Sequence, residues 1–254
     1  MSLTQLKNAA QLALNCMDLT SLTGTESDED IIRLCQQASS ELGSVAAICV
    51  YPQFIPLARQ HLDPSIKIAT VSNFPHGNKD INAAVEQTRA AIALGADEVD
   101  VVFPYKSLMA GDPDVGYQLV QQCKQACPEQ VALKVIIESG ELVTPALIAR
   151  ASQIAIDAGA DFIKTSTGKV AVNATLEAAE VMLTAIKHSG KEVGFKAAGG
   201  VRTVADANDY LTQARLIMGP DWINKQHFRF GASALLSDVL AALNGSDVTP
   251  KGEY

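Results

Sequence analysis

The sequence has no apolar run approaching the roughly 18 residues needed to cross a membrane. Its opening stretch, MSLTQLKNAAQLALNCMD, interrupts apolar residues with Gln and Asn, which is unlike a secretory signal. No membrane association is therefore expected, and a cytoplasmic location is. There is no basic excess either: 20 Lys and Arg against 28 Asp and Glu leave a net charge of -8. That balance argues against a nucleic-acid or anionic-membrane partner, so an anionic ligand would have to be held by local groups. The five cysteines are odd in number, and the closest pair, Cys123 and Cys127, has helical spacing but no second pair to complete a zinc site. Reduced packing thiols are the expectation. The four histidines, His61, His76, His188 and His227, form no HExxH spacing, and no strand leads into a GxGxxG loop. Neither a metal nor another cofactor is predicted.

What is present is an alternation of strand and helix from end to end. Short apolar, β-branched runs at residues 45–50, 66–71, 98–103, 131–137, 161–164, 193–196 and 228–230 read as buried parallel strands, with a weaker first strand at 14–18. Amphipathic stretches at 81–94, 145–158 and 174–187 separate them, and Thr144 before Pro145 reads as a helix cap followed by proline at the first helical position. The segment GADEVDVV at Gly95 returns as GADFIKTS at Gly159, and the 64-residue offset equals two strand-helix steps of about 32 residues. Eight such steps in 254 residues predict a single-domain (β/α)8 barrel spanning residues 1–254. A polar, Gly- and Pro-containing tail from about 244 to 254 reads as a flexible terminus.

In such a barrel the C-terminal ends of the strands face the active site. Lys164 ends DFIK, Lys196 ends VGFK, Lys134 lies inside ALKVII, and Asp100 lies inside EVDVVF. Adjacent strands are about 4.8 Å apart, so Lys164 and Lys196 should present their amines to one pocket. Two ammonium groups crowded in a partly dry cavity disfavour each other's charge, which makes a neutral amine available near neutral pH. A neutral lysine can attack a carbonyl, and the resulting iminium makes carbon-carbon cleavage possible without a metal. Asp100 could carry protons for that chemistry while Lys134 keeps it ionised. Spacing does not choose between Lys164 and Lys196 as the nucleophile.

A phosphate site has its own signature. The loops after strands seven and eight, common phosphate holders in barrels, read AAGGVRT and GASALL. Gly199 and Gly200 would let backbone N–H groups approach an anion, Arg202 adds charge, and Thr203 could cap a helix whose positive end faces the pocket. Gly231 and Ser233 belong to the second loop, and Gly168 with Lys169 to the loop TSTGK after strand six.

Taken in order, MDLT, NFPHG, GADEVDVVFPY, KVIIESGEL, FIKTSTGK, GFKAAGGVRT and FRFGAS resemble the deoxyribose-phosphate aldolase family along almost the whole chain. The resemblance implies that Lys164 forms a Schiff base with acetaldehyde, that Lys196 perturbs its pKa, and that Asp100 transfers protons. It implies reversible cleavage of 2-deoxy-D-ribose 5-phosphate to D-glyceraldehyde 3-phosphate and acetaldehyde, and a homodimer. It also matches Tyr254 to the family's C-terminal tyrosine, which enters the site from a mobile tail. Two positions depart from the pattern: Ala197, where relatives often have proline, and Ala234, where they often have a second serine.

Other readings compete. A pyridoxal-phosphate enzyme would share the barrel, the lysine and the phosphate loop but would be yellow. A phosphosugar isomerase needs a carboxylate base, for which Glu138 is the candidate. A non-enzymatic phosphosugar sensor would bind without turnover. Cys49 at the end of AAICV reads as a packing thiol.

Overall fold

In a computed structural model of the chain, the structure describes residues 2–245. Eight parallel strands close into one barrel: β1 (Met17–Thr20), β2 (Ala47–Cys49), β3 (Lys67–Ser72), β4 (Glu98–Val102), β5 (Ala132–Ile136), β6 (Phe162–Lys164), β7 (Gly194–Ala198) and β8 (Phe228–Ala232). Each strand pairs with its sequence neighbours and β8 pairs with β1, which leaves no open edge in the barrel. The strands fall where the apolar runs predict, with ends shifted by one or two residues. The exception is the first: Leu14 belongs to a helix, and β1 begins at Met17. The apolar run ALNCM crosses the junction between the two, and hydrophobicity alone cannot divide it.

Among the described residues, eleven α-helices accompany the strands. α1 (Leu3–Asn15) precedes the barrel, and α2 (Asp28–Gln37), α3 (Ile55–His61) and α4 (Ile81–Ala93) follow the first three strands. The short α5 (Tyr105–Met109) leads to α6 (Asp114–Ala126), and the short α7 (Ser139–Leu142) to α8 (Pro145–Asp157). α9 (Leu176–Ser189), α10 (Val204–Met218) and α11 (Leu235–Asn244) complete the ring. Thr144 caps α8 through the amide of Leu147, as its position before Pro145 predicts. Among the described residues no helix is long and apolar enough to cross a membrane.

The repeated GAD segments do the same work twice. Gly95 and Gly159 close α4 and α8 with φ of +100° and +99°, a conformation open chiefly to glycine. The aspartates that follow stitch the next strand to the one before it: Asp97 accepts from the Ile68 amide at 2.8 Å and Asp161 from the Leu133 amide at 2.7 Å.

Apolar side chains that leave the barrel outward meet the helices, as Val99, Val135, Ile163, Phe195, Phe228 and Phe230 do. The barrel interior is divided. Ala47, Cys49, Ala69 and Val71 from β2 and β3 form a small apolar group, while the other six strands contribute charge. At the bottom of the charged half the Phe162 ring lies 5.5 Å beneath the Arg229 guanidinium. Gly194 makes room for that ring, since a Cβ there would stand 2.2 Å from Phe162 Cε1. Gly194→Ala is therefore expected to cost about 1–3 kcal/mol through overpacking. Urea unfolding reads this directly, and an unchanged midpoint would show that the ring is not confined.

Candidate active site

Strand register builds the site. Asp100 lies opposite Lys134 on one level, and Lys164 opposite Lys196 and Lys196 opposite Arg229 on the next, because β5 and β6 pair Lys134 with Phe162 and Lys164 with Ile136; five consecutive strands thus send charged side chains into the barrel interior at two adjoining levels. The Asp100 carboxylate takes all three lysines: Lys134 Nζ donates to Oδ1 at 2.8 Å, and Lys164 and Lys196 both donate to Oδ2 at 2.8 Å. Lys196 also donates to Asp18 Oδ2 at 2.5 Å. Lys134 reaches Glu98 at 2.5 Å and Asp18 at 3.5 Å. Arg229 closes the network, donating to Asp18 Oδ1 at 2.6 Å and gripping both oxygens of Glu98 at 2.8 and 3.1 Å.

The cluster thus holds three carboxylates and four bases, all buried. Unpaired, any of them would be costly to bury. With every group ionised, one positive charge is in excess, and the ion pairs show where it lies. Lys134 has three carboxylates in reach and Lys196 two, whereas Lys164 has only Asp100, which it shares.

Proton affinities follow the same order. Burial opposes the charge of Lys164, the shared Asp100 only partly offsets that, and Lys196 adds repulsion, so its pKa lies below that of an ordinary lysine. The neighbouring ammonium acts in the direction expected from sequence, but burial is the larger cause. For Lys196 and Lys134 the carboxylates outweigh burial, and both hold their protons more tightly than usual. Burial also opposes ionisation of Asp100, but the three lysines overcome it and keep the carboxyl well below the carboxylate range.

Of the three lysines, Lys164 is also the one that lines a cavity. The cavity, of about 350 Å³, opens at the C-terminal end of the strands, and every residue predicted for phosphate lines it: Gly168, Lys169, Gly199, Gly200, Arg202, Gly231 and Ser233. Gly168, Gly199 and Gly200 have φ between +81° and +89°, and a Cβ at Gly199 would stand 2.7 Å from Asn173. Thr20 at the end of β1, and Ser21 and Thr23 in the loop that follows, also line the cavity and have no counterpart in the sequence reading.

The start of α10, the helix expected to point its N-terminus at an anion, already has carboxylate partners of its own. Thr203 does cap α10, but Asp206 accepts from the amides of Arg202 and Thr203, and Asp238 accepts from that of Val204. These donors already face carboxylates. By contrast α11 begins in the cavity wall at Ser233 and Ala234 with no side-chain cap on its first turn. Of the two departures, Ala197 packs into the layer between barrel and helices, whereas Ala234 does line the cavity.

Glu138, the alternative carboxylate base, is buried and occupied: its two oxygens accept from the amide of Thr167 at 3.1 Å and its hydroxyl at 2.6 Å. It holds the loop after β6 in place and does not line the cavity. Cys49 lies in the barrel beside the cluster, its thiol pushed up by burial. Tyr254 falls outside the described residues. Among the described residues, no group of three or more His, Cys, Asp or Glu side chains is placed to hold a metal ion. Asp18, Glu98 and Arg229 were not singled out from the sequence, although Glu98 stands two residues before Asp100 and so shares its face of β4.

The sequence model of the DeoC/LacD family aldolases matches residues 12–238. Among solved structures, the chain is 25% identical to a Toxoplasma gondii ME49 protein provisionally named a deoxyribose-phosphate aldolase, with a TM-score of 0.88 over 97% of this chain and 98% of the other. It is 28% identical to a Coccidioides immitis protein provisionally given the same name, with a TM-score of 0.80 over 91% and 87% of the two chains. The deoxyribose phosphate aldolase of Aeropyrum pernix, a tetramer, shares the fold at 23% identity and a TM-score of 0.73 over 94% and 95%.

The unequal pairing of the lysines separates two substitutions. Lys134→Met would leave Glu98, Asp18 and Asp100 undercompensated and is expected to cost about 3–5 kcal/mol, while Lys164→Met, which removes the surplus cation, should change stability by less than about 1 kcal/mol. Urea denaturation at neutral pH distinguishes them; equal losses would mean that the positive excess is not localised at Lys164.

Proposed function

Because the chain belongs to the DeoC/LacD aldolase family, we propose that it is a class I aldolase that reversibly cleaves 2-deoxy-D-ribose 5-phosphate to D-glyceraldehyde 3-phosphate and acetaldehyde through a Schiff base on Lys164. The observation that carries this reading is the pairing of Lys164: it is the lysine with the weakest ionic support, and it alone among the three reaches the cavity. The likeness to proteins named for deoxyribose phosphate supports the substrate, and the small-residue loops support its phosphate.

In this reading the neutral Nζ of Lys164 attacks C1 of the open-chain sugar, and the carbinolamine takes up a proton, relayed by way of Asp100, as it loses water to give a protonated iminium. The electron pair of the C2–C3 bond moves toward that iminium as the C3 hydroxyl loses its proton. D-Glyceraldehyde 3-phosphate departs, leaving an enamine, which gains a proton at C2 and is hydrolysed to acetaldehyde and free Lys164. Asp100 contacts Nζ of Lys164 through Oδ2, so it is placed to take up and return the protons that the reaction moves at that nitrogen, while Lys134 and Lys196 keep it anionic at rest. Lys196 keeps its own proton and thereby favours the neutral form of Lys164.

The phosphate would be received above Lys164 by the backbone of Gly199, Gly200 and Gly168, by Gly231 and Ser233 at the start of α11, and by the charges of Lys169 and Arg202 at the mouth. Tyr254, matched by resemblance, is proposed to act from the tail. The substrates are small phosphosugars and aldehydes.

Incubation with acetaldehyde and borohydride reduces an iminium to a stable secondary amine. Peptide mass spectrometry is expected to find the two-carbon adduct on Lys164 alone, with no adduct and no turnover in Lys164→Arg. An adduct on Lys196, or none in folded protein, would contradict the assignment.

A further inference from the structure

The ion cluster does not stop at the lysines. Its far end is the Arg229–Glu98 pair near the starts of β8 and β4, which lines a second cavity of about 370 Å³ at the N-terminal mouth of the barrel, opposite the one that holds Lys164. No part of the proposed chemistry takes place there. We propose that Glu98 and Arg229 are positioning residues of the reaction, whose opposite charges, acting through Asp18, Lys134 and Asp100, set how readily Lys164 releases its proton. This inference rests on the Schiff-base reading of Lys164.

The argument is one of charge count and geometry. Glu98 binds Lys134, and Lys134 binds the same Asp100 carboxylate that holds Lys164; Arg229 binds Asp18, Asp18 binds Lys196, and Lys196 shares Asp100 Oδ2 with Lys164. Every step is a direct contact inside the barrel, so neither charge is screened from Lys164 by a layer of water. Arg229 and Glu98 are each 5% exposed.

Other charges nearby do not replace them. Around Lys164 itself stand Asp100 from β4, Lys196 from β7 and Glu138 after β5, while Cys49 from β2 is a thiol that burial keeps neutral. The cations at the pocket mouth are Lys169 and Arg202. Around the second cavity, Asp97, Asp161, Lys225 and His227 border the pair on the solvent side.

The four bases exceed the three acids by one charge, so removing either end of the pair changes the excess in a definite direction. Glu98→Gln raises it and should make Lys164 release its proton at lower pH. Arg229→Met abolishes it and should make Lys164 hold its proton to higher pH. Lys164 and Arg229 lie two strands apart in register. At about 10 Å and an effective dielectric of about 20, one charge alters proton affinity by roughly tenfold, or about one pH unit in the midpoint.

The test is the rate of Lys164 acetylation by trace acetic anhydride as a function of pH, read by peptide mass spectrometry in the full-length protein. The midpoint is expected to fall in Glu98→Gln, rise in Arg229→Met and return close to the starting value in the double variant. Both single substitutions break the same ion pair, so a purely structural role would move them in one direction; movement in the same direction, or none, overturns the inference. If Arg229→Met does not fold, the near-isosteric Glu98→Gln decides alone, and Arg229→Lys, which keeps the charge, should leave the midpoint in place. Acetylation requires no iminium. Unmoved midpoints with an acetaldehyde adduct on Lys164 would therefore overturn this inference and leave the aldolase reading standing, whereas opposite shifts without an adduct would uphold the coupling and overturn that reading.

Discussion

The Asp100 carboxylate accepts hydrogen bonds from Lys134, Lys164 and Lys196, which end or cross three consecutive strands, and the barrel around it is organised by what that sharing demands. A carboxylate can satisfy several donors but supplies only one negative charge. Three ammonium groups on it are tolerable only if other acids take up the remainder, and Asp18 and Glu98 do so for Lys196 and Lys134. Lys164 receives no such help. The geometry therefore creates one underpaired amine at the wall of a cavity and keeps its neighbours firmly protonated.

The scaffold contributes in ways that are mostly packing. The closed ring of eight parallel strands sets the register that brings Asp100 beside Lys134, and Lys164, Lys196 and Arg229 side by side one level further along. Gly194 yields space to Phe162 beneath the guanidinium, and Gly231, whose absent Cβ would meet Lys196 Cε at 3.0 Å, yields space to the lysine stem. The small apolar group at β2 and β3 fills the part of the interior that the ions from the other six strands leave free. Above them, loops of small residues bring backbone amides and two cations to an otherwise acidic protein, so a phosphate would be recognised locally rather than by the overall field.

Much of this was legible in the residues. The eightfold alternation and the returning GAD segment specify the barrel, because parallel strands buried on both faces must be continuously apolar and each helix must hand the chain back through a turn. Lysines at the ends of two neighbouring strands mark the candidate site only as a pair, since a single charge at a strand end could reach solvent, whereas two on adjacent strands share one end of the barrel. The first strand was misplaced because α1 and β1 meet within one apolar segment. Asp18, Glu98 and Arg229 escaped notice because a charge at a strand terminus can always be imagined in solvent. Only the closed ring reveals that they face inward and meet each other. The partners of α10's first amides were hidden for a similar reason, since one of the carboxylates that occupy them belongs to a distant residue, Asp238.

The central claim is that, of the three lysines in the cluster, Lys164 holds its proton least tightly. Carbon-13 labelling of lysine, with the Lys164 resonance assigned by its loss in Lys164→Arg, allows its titration to be followed by NMR in the folded protein. The account predicts that Lys164 loses its proton below the ordinary lysine value of about 10.4, while Lys134 and Lys196 remain ammonium beyond it. A Lys164 that titrates at or above that value, or a Lys196 that deprotonates first, would contradict it.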